Sequence, residues 1–247
     1  MGLIGRVGGK TKLRKVITKM MPEHEIYVEP FIGGGSVFLE KEPAKLNIIN
    51  DKDTDIINIW KDVRELPIDI YDNMKFVANR ELFKKYANQK TFNSKRDRLY
   101  RNLYLSKVSY SGKRNSYGGD NQKIGTGKKY INLAKQIKET PNLKIFNKDF
   151  KTIIKKYDSP KTLFYLDPPY DIESQKGDWG YTHERLPIED VYNAVKNIKG
   201  KFILSYNKSK KIKDLFKDFN IKNVSTSYQL GDGSNREKLQ EVVIKNF

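Results

Sequence analysis

Tyr27-Val28-Glu29-Pro30-Phe31-Ile32-Gly33-Gly34-Gly35-Ser36-Val37-Phe38 is the stretch whose reading sets the architecture. Successive apolar residues read as a strand covered on both faces, glycines follow, and a helical pattern begins at Ser36. Glycine lets a backbone turn tightly and come close to a ligand. The dinucleotide fingerprint is incomplete, because Gly33 and Gly35 fit its first two positions and Phe38 stands at the third. A plain strand-to-helix turn would use the same residues. Outward from this stretch, further strand candidates are Glu25–Glu29, Lys45–Asn50, Leu143–Asn147, Thr162–Leu166, Lys201–Tyr206, Ile221–Tyr228 and Glu241–Phe247. Helical candidates alternate with them at Lys12–Met21, Ser36–Glu40, Lys151–Tyr157, Pro187–Ile198 and Ser209–Asp218. That alternation predicts a mostly parallel α/β sheet. The connection Gln229–Leu239 is too short for a helical crossover, so the last two strands are expected to form an antiparallel hairpin at the end of the sheet.

A second stretch, Thr162-Leu163-Phe164-Tyr165-Leu166-Asp167-Pro168-Pro169-Tyr170, carries chemistry. A buried strand ends in an acid, two prolines and an aromatic. The prolines fix φ and remove two donors, which leaves stiff chain with free carbonyls. At the carboxyl edge of a parallel sheet, Asp167 and the Pro168 carbonyl suit the two protons of one amino group, and Tyr170 suits the face of a planar ring. Asp51 ends the second strand, where an acid can accept from ribose hydroxyls; a helix N-cap is the plainer use of Asp there. Gly8-Gly9-Lys10-Thr11 is not a phosphate loop, since Ile4 occupies the place of the first glycine and no strand precedes it.

The 247 residues suit one large domain, or a main domain with an insert. Charged residues make up 32%, against about 25% in an average domain. The net charge of +18 favours a polyanionic partner. Without cysteine there is no disulfide, thiolate zinc site or cysteine nucleophile, and two histidines make a His-rich metal site improbable; no metal is expected. Apolar runs fall far short of the roughly 20 residues of a membrane span, and no secretory leader is visible. The reading is an intracellular protein, cytoplasmic or nucleoid-associated, or inside the host cell if of phage or viral origin. From about Trp60 to Thr140 the strand rhythm breaks. Lys95 to Lys138 holds twelve Lys/Arg against two acids, +10 of the total, with Tyr100, Tyr104, Tyr110, Tyr117 and Tyr130 interleaved. Base stacking on a phosphate-binding surface and a solvated face over core tyrosines are evenly weighted readings. Residues 111–120 and 125–129 read as polar loops or a hairpin.

Glu29-Pro30-Phe31-Ile32-Gly33-Gly34-Gly35-Ser36 followed by Asp167-Pro168-Pro169-Tyr170 resembles the Dam-type, α-group DNA adenine-N6 methyltransferases. The resemblance extends to Gly8-Gly9-Lys10, Asp51, Asn147-Lys148-Asp149-Phe150 and the ending Glu237…Glu241-Val242-Val243-Ile244-Lys245-Asn246-Phe247. It implies a Rossmann-like S-adenosylmethionine-dependent methyltransferase sheet of seven strands, the last antiparallel. Residues 1–59 and 141–247 would form the catalytic domain and 60–140 a mainly helical target-recognition insert. By position, Gly33 and Gly35 would approach S-adenosylmethionine with Glu29 and Phe31 nearby. Asp51 would hold its ribose, Asp149 and Phe150 its adenine, and Lys10 lies in the segment closing over it. Asp167, Pro168, Pro169 and Tyr170 would receive a flipped adenine of double-stranded DNA. In the insert the match thins and no recognition sequence transfers. Lys113, Arg114, Asn115, Lys128 and Lys129 are candidate DNA contacts, Arg114 and Asn115 for base edges, and Tyr117 a candidate to fill the gap of the flipped base. A monomer is expected. Two rival readings stay open: methylation of another amine (cytosine N4, RNA adenine or a protein glutamine), and a nucleic-acid-binding module without catalysis.

Overall fold

Alternation of side chains along buried strands sorts the apolar residues into two layers. The computed structural model describes residues 2–5, 10, 12–112, 114–120, 125–170, 186–225 and 240–247. Its strands are β1 (Ile26–Glu29), β2 (Leu46–Asn50), β3 (Leu143–Phe146), β4 (Thr162–Leu166), β5 (Lys201–Asn207), β6 (Asn220–Ser225) and β7 (Gln240–Lys245), in the spatial order β3-β2-β1-β4-β5-β7-β6. β7 runs antiparallel between β5 and β6, and the other pairings are parallel. β4 is buried at every residue, and β1, β2 and β5 at every residue but the first. Burial on both faces is why these strands read as unbroken apolar runs. Tyr27, Ile49, Leu163, Tyr165 and Ile203 enter one layer, and their neighbours Val28, Ile48, Phe164, Leu166 and Phe202 the other.

The first layer is covered by α1 (Arg14–Thr18), α2 (Thr54–Glu65), α3 (Arg80–Asn88), α4 (Lys95–Val108) and α5 (Lys128–Glu139), the second by α6 (Phe150–Tyr157), α7 (Ile188–Val195) and α8 (Lys210–Leu215). From β1 the chain steps outward through β2 to β3, and from β4 in the other direction to β5. The carboxyl ends of β1 and β4 therefore flank the reversal of strand order, the place where open α/β sheets take ligands.

Three expectations need correction. Ser36–Glu40 forms successive turns instead of a helix. Leu39 N and Lys41 N donate to the carbonyls four residues back, of Gly35 and Val37, but Glu40 N donates instead to the Val37 carbonyl three back, so the helical ladder is interrupted, and Pro43 leaves too little chain for propagation. Lys128 and Lys129 do not lie in a loop but open α5. α1 is only five residues long, with Leu13 at its N-cap position and no side-chain cap. The hairpin of β6 and β7 is present, with β6 and not β7 at the sheet edge.

Among the described residues, 66–140 contributes no strand to the sheet, only the isolated bridges Lys75↔Thr126 and Ser109↔Tyr117. α4 is buried nearly all round, and its Leu103 and Tyr104 share one apolar cluster with Tyr27, Trp60 and Tyr130. Tyr104 and Tyr130 are fully buried, so they are core residues and not stacking faces; Tyr110 is 63% exposed. Part of the basic run also turns inward. Arg98 makes a two-pronged pair with the fully buried Asp62 at 2.6 and 2.9 Å, and Arg101 pairs with Asp55 at 2.8 Å. These arginines fasten α4 to α2.

Candidate active site

The carboxyl ends of β1, β2 and β3 are laced together by two asparagines. Asn50 Nδ2 donates to the carbonyls of Pro30 and Lys148, both at 3.0 Å, and its Oδ1 accepts from Lys148 N at 2.9 Å. Asn147 Nδ2 donates to the carbonyls of Asp51 at 2.8 Å and Lys52 at 3.0 Å. This lacing fixes the loops that carry Phe31, Gly33, Asp51 and Asp149. Asp51 Oδ2 accepts from Gly33 N at 2.9 Å and its Oδ1 from Asp53 N at 3.0 Å. The cap of α2 is Asp53, so Asp51 is not the N-cap. Asp149 is exposed and caps α6 through Lys151 N at 2.8 Å. Phe31 and Phe150 lie with centroids 5.1 Å apart.

Gly33 and Gly35 have φ of +44° and +62°, a region open to glycine. At Gly35 a Cβ would stand 2.3 Å from the Trp60 ring, and Trp60 Nε1 donates to the Gly33 carbonyl at 3.0 Å. Glycine is needed here both for the turn and for the ring of α2 beneath it. Leu3 N donates to the Gly34 carbonyl at 2.7 Å, which ties Leu3 to this loop. Glu29, at the end of β1, is buried and accepts from Tyr27 OH at 2.7 Å. Burial, with Asp167 and Asp51 nearby, holds its carboxyl well above the usual range.

Across the reversal, Asp167 follows β4 with 21% of its side chain exposed. Lys10 Nζ donates to Asp167 Oδ1 at 2.9 Å, hydrogen-bonds Tyr170 OH, and lies 3.6 Å from Glu241 Oε2 and 4.8 Å from the Tyr170 ring centroid. Lys10 is 2% exposed. Burial pulls its ammonium down, but Asp167, Tyr170 and Glu241 outweigh that and hold it well above its ordinary value. Burial raises Asp167, against the downward pull of Lys10 and Ser205. Burial likewise lifts Glu241 to about 7, against Lys10 and helped by Asp167. Ser205 Oγ donates to Asp167 Oδ1 at 3.2 Å and shares a 2.9 Å hydrogen bond with Tyr165 OH. Tyr170 packs edge-on against Tyr206 at 4.8 Å. The contacts of Lys10 thus join it to the acid-Pro-Pro-aromatic set on β4, although it was expected on the cofactor side.

This geometry is an acid at a strand end with an amine already seated on it, beside a glycine turn and a carboxylate-bearing edge. The model of the D12 class N6 adenine-specific DNA methyltransferases matches residues 7–230. The chain belongs to that family. The D12-class chain is 28% identical over 266 residues to the type II methyltransferase M1.LlaDCHI of Lactococcus lactis subsp. cremoris, covering 97% of this chain and 93% of the relative. It is 28% identical to the type II methyltransferase M.CviBI of Paramecium bursaria Chlorella virus NC1A over 77% of each chain. A DNA adenine methylase of Salmonella typhi is 30% identical over 66% of this chain and 62% of its own length. The D12-class chain is therefore a DNA adenine-N6 methyltransferase with a seven-stranded α/β methyltransferase sheet, which implies a donor of the S-adenosylmethionine type. The acceptors and rings along its first three strand ends fit a nucleoside-bearing donor: Asp51 and Asp149 offer carboxylates, Phe31 and Phe150 apolar faces.

Three contributors to the site carry no motif that sequence reasoning singles out: Ser205, Glu241 and Tyr165. A serine inside apolar β5 and a glutamate opening Val-Val-Ile in β7 were the available signals. Of the candidate DNA contacts, Asn115, Lys128 and Lys129 are exposed. Arg114 is turned inward onto Asp53, its side chain 11% exposed. Tyr117 is half-buried against Phe83 at 5.5 Å, with its hydroxyl on Asp120. Lys113, His183 and Glu237 lie outside the described residues. No helix among the described residues is long and apolar enough to cross a membrane, and no group of three or more His, Cys, Asp or Glu there could hold a metal ion.

Proposed function

We propose that the chain methylates the N6 amino group of an adenine flipped out of double-stranded DNA, with Asp167, Pro168, Pro169 and Tyr170 receiving the base. The observation that carries this reading is Lys10: a buried primary amine is hydrogen-bonded to Asp167 and rests against Tyr170. A site that binds one amine in this way suits another at the same place. Gly33, Gly35, Glu29, Phe31, Asp51, Asp149 and Phe150 form the donor side. Bound there, S-adenosylmethionine supplies an electrophilic methyl group.

The remaining work belongs to the chain. Flipping a base costs a few kcal/mol, and stacking on Tyr170 returns roughly 1–3 kcal/mol. Lys10 yields Asp167 to the incoming amine, with Glu241 beside it as the other carboxylate. Asp167 and the Pro168 carbonyl accept the two N–H groups, which favours a pyramidal nitrogen whose lone pair is released from the ring. The nitrogen would take the methyl as its bond to the donor sulfur breaks, the electron pair staying on sulfur; Asp167 stabilises the positive charge growing on nitrogen and accepts the proton that leaves it. Positioning supplies much of the rate. Exposed Asn115, Lys128 and Lys129, with Tyr110, serve as DNA contacts; Tyr110 suits the gap left by the base better than Tyr117 does. The likeness to type II methyltransferases supports a role beside a restriction enzyme. The test is Asp167→Ala: methyl transfer to DNA is expected to vanish while calorimetry still finds S-adenosylmethionine bound. Near-wild-type transfer would refute the mechanism.

A further inference from the structure

We propose that Arg114, anchored on Asp53, couples the target-recognition loop to the glycine turn of the donor site, so that DNA and donor strengthen each other's binding. This rests on the assignments of donor side and recognition loop made above. After α4, residues 109–110 and 116–118 are tied back to one another and to the end of the helix. Ser109 bridges Tyr117, Tyr110 N donates to the Ser116 carbonyl at 2.9 Å, and Gly118 N donates to the Val108 carbonyl at 2.9 Å. Arg114 sits in the loop at φ +64°, which is unfavourable for a residue with a side chain. Its N donates to Ser109 Oγ at 3.0 Å.

The guanidinium holds it there. Nη2 donates to Asp53 Oδ2, and Nη1 lies 3.4 Å from Asp55 Oδ2. The Arg114 and Asp53 side chains are 11% and 5% exposed, so water screens this pair weakly. The other carboxylate oxygen of Asp53 caps α2, accepting from Asp55 N at 2.9 Å and Ile56 N at 3.3 Å. The Asp53 N–H donates to Asp51 Oδ1, and Asp51 Oδ2 accepts from Gly33 N. Three polar links thus run from the recognition loop through α2 to the glycine turn. Asn115 and Ser116, next to Arg114, are exposed. Arg114 therefore stays inward while its neighbours meet DNA.

A donor that fixes Asp51 and Gly33 also fixes Asp53 and presents the loop in one conformation. By linkage, DNA that holds the loop must favour the donor by the same factor. The test measures S-adenosylhomocysteine binding to the full chain by equilibrium dialysis, with and without saturating unmethylated plasmid DNA. Wild type, Asp53→Asn, Arg114→Met and the double variant are compared. Asn retains the cap while removing the charge. Wild type is expected to bind at least about fivefold more tightly with DNA, within the usual range of coupling. Each single variant is expected to bring that factor below about two, with no further loss in the double.

A merely structural role would lower affinity equally with and without DNA, and would refute the proposal. So would Asp53→Asn retaining the wild-type factor, as expected if Arg114 only reads bases. So would a wild-type chain whose affinity DNA leaves unchanged. A wild type that shows the coupling but forms no N6-methyladenine overturns the proposed reaction and leaves the coupling standing.

Discussion

Asp167 must be ionised to accept from an amine, and burial raises it above the ordinary aspartate value of 3.8. Activity is therefore expected to fall on the acid side with a midpoint above that value; a rate flat down to the ordinary aspartate pKa would contradict this. Glu241 gives a stability test with a defined sign. Its folded value near 7 lies above about 4.3 for an unfolded glutamate. The protonated form is thus favoured by the fold, and its contribution is complete at low pH and lost as pH rises through 7. Between pH 5 and 8, wild type is expected to lose on the order of 2 kcal/mol relative to Glu241→Gln in urea titrations. Parallel curves would refute it. At this scale the acid, prolines and aromatic of the site could be read directly, because they are contiguous. Ser205 and Glu241 could not, because only the pairing of β5 with β4 and β7 brings them to Asp167.

Among the elements, the strands were the most legible. β4 has the expected bounds and β1, β2, β3 and β5 differ from theirs by one residue, since buried strands leave a continuous apolar signal; β7 stops two residues short of the expected Phe247, and residues 226–228 of the expected Ile221–Tyr228 lie outside the described residues. The crossover after β1 was misread because three consecutive buried residues and a helix-like run look alike without knowledge of what covers them. Gly35→Ala tests that segment. It places a methyl in the Trp60 ring at a positive φ, and a loss of about 3 kcal/mol is expected in chemical denaturation, with weaker donor binding. A near-neutral change would mean that the turn repacks. The fastening of α4 to α2 was also illegible, since a basic run does not show which of its members face inward. Arg98→Met leaves Asp62 buried without its partner, and a loss of about 3 kcal/mol is expected.

For the whole molecule, the +18 charge is only partly a DNA-binding charge, because Arg98, Arg101 and Arg114 are committed to α2. DNA affinity should fall steeply with salt, by about a thousandfold or more between 50 and 200 mM if six or more phosphates are contacted. Lys128→Ala is expected to reduce the slope of log affinity against log salt by about one, and Arg98→Met to leave the slope intact. Equal effects would show that burial does not sort this charge. Nucleoside mass spectrometry reads the product of the reaction itself. Purified chain is incubated with S-adenosylmethionine and unmethylated duplex DNA, which is then digested and examined for modified nucleosides. N6-methyladenine, absent with Asp167→Ala, is the expected product; N4-methylcytosine, or unmodified DNA from a chain that binds S-adenosylmethionine, would overturn adenine N6 as the acceptor.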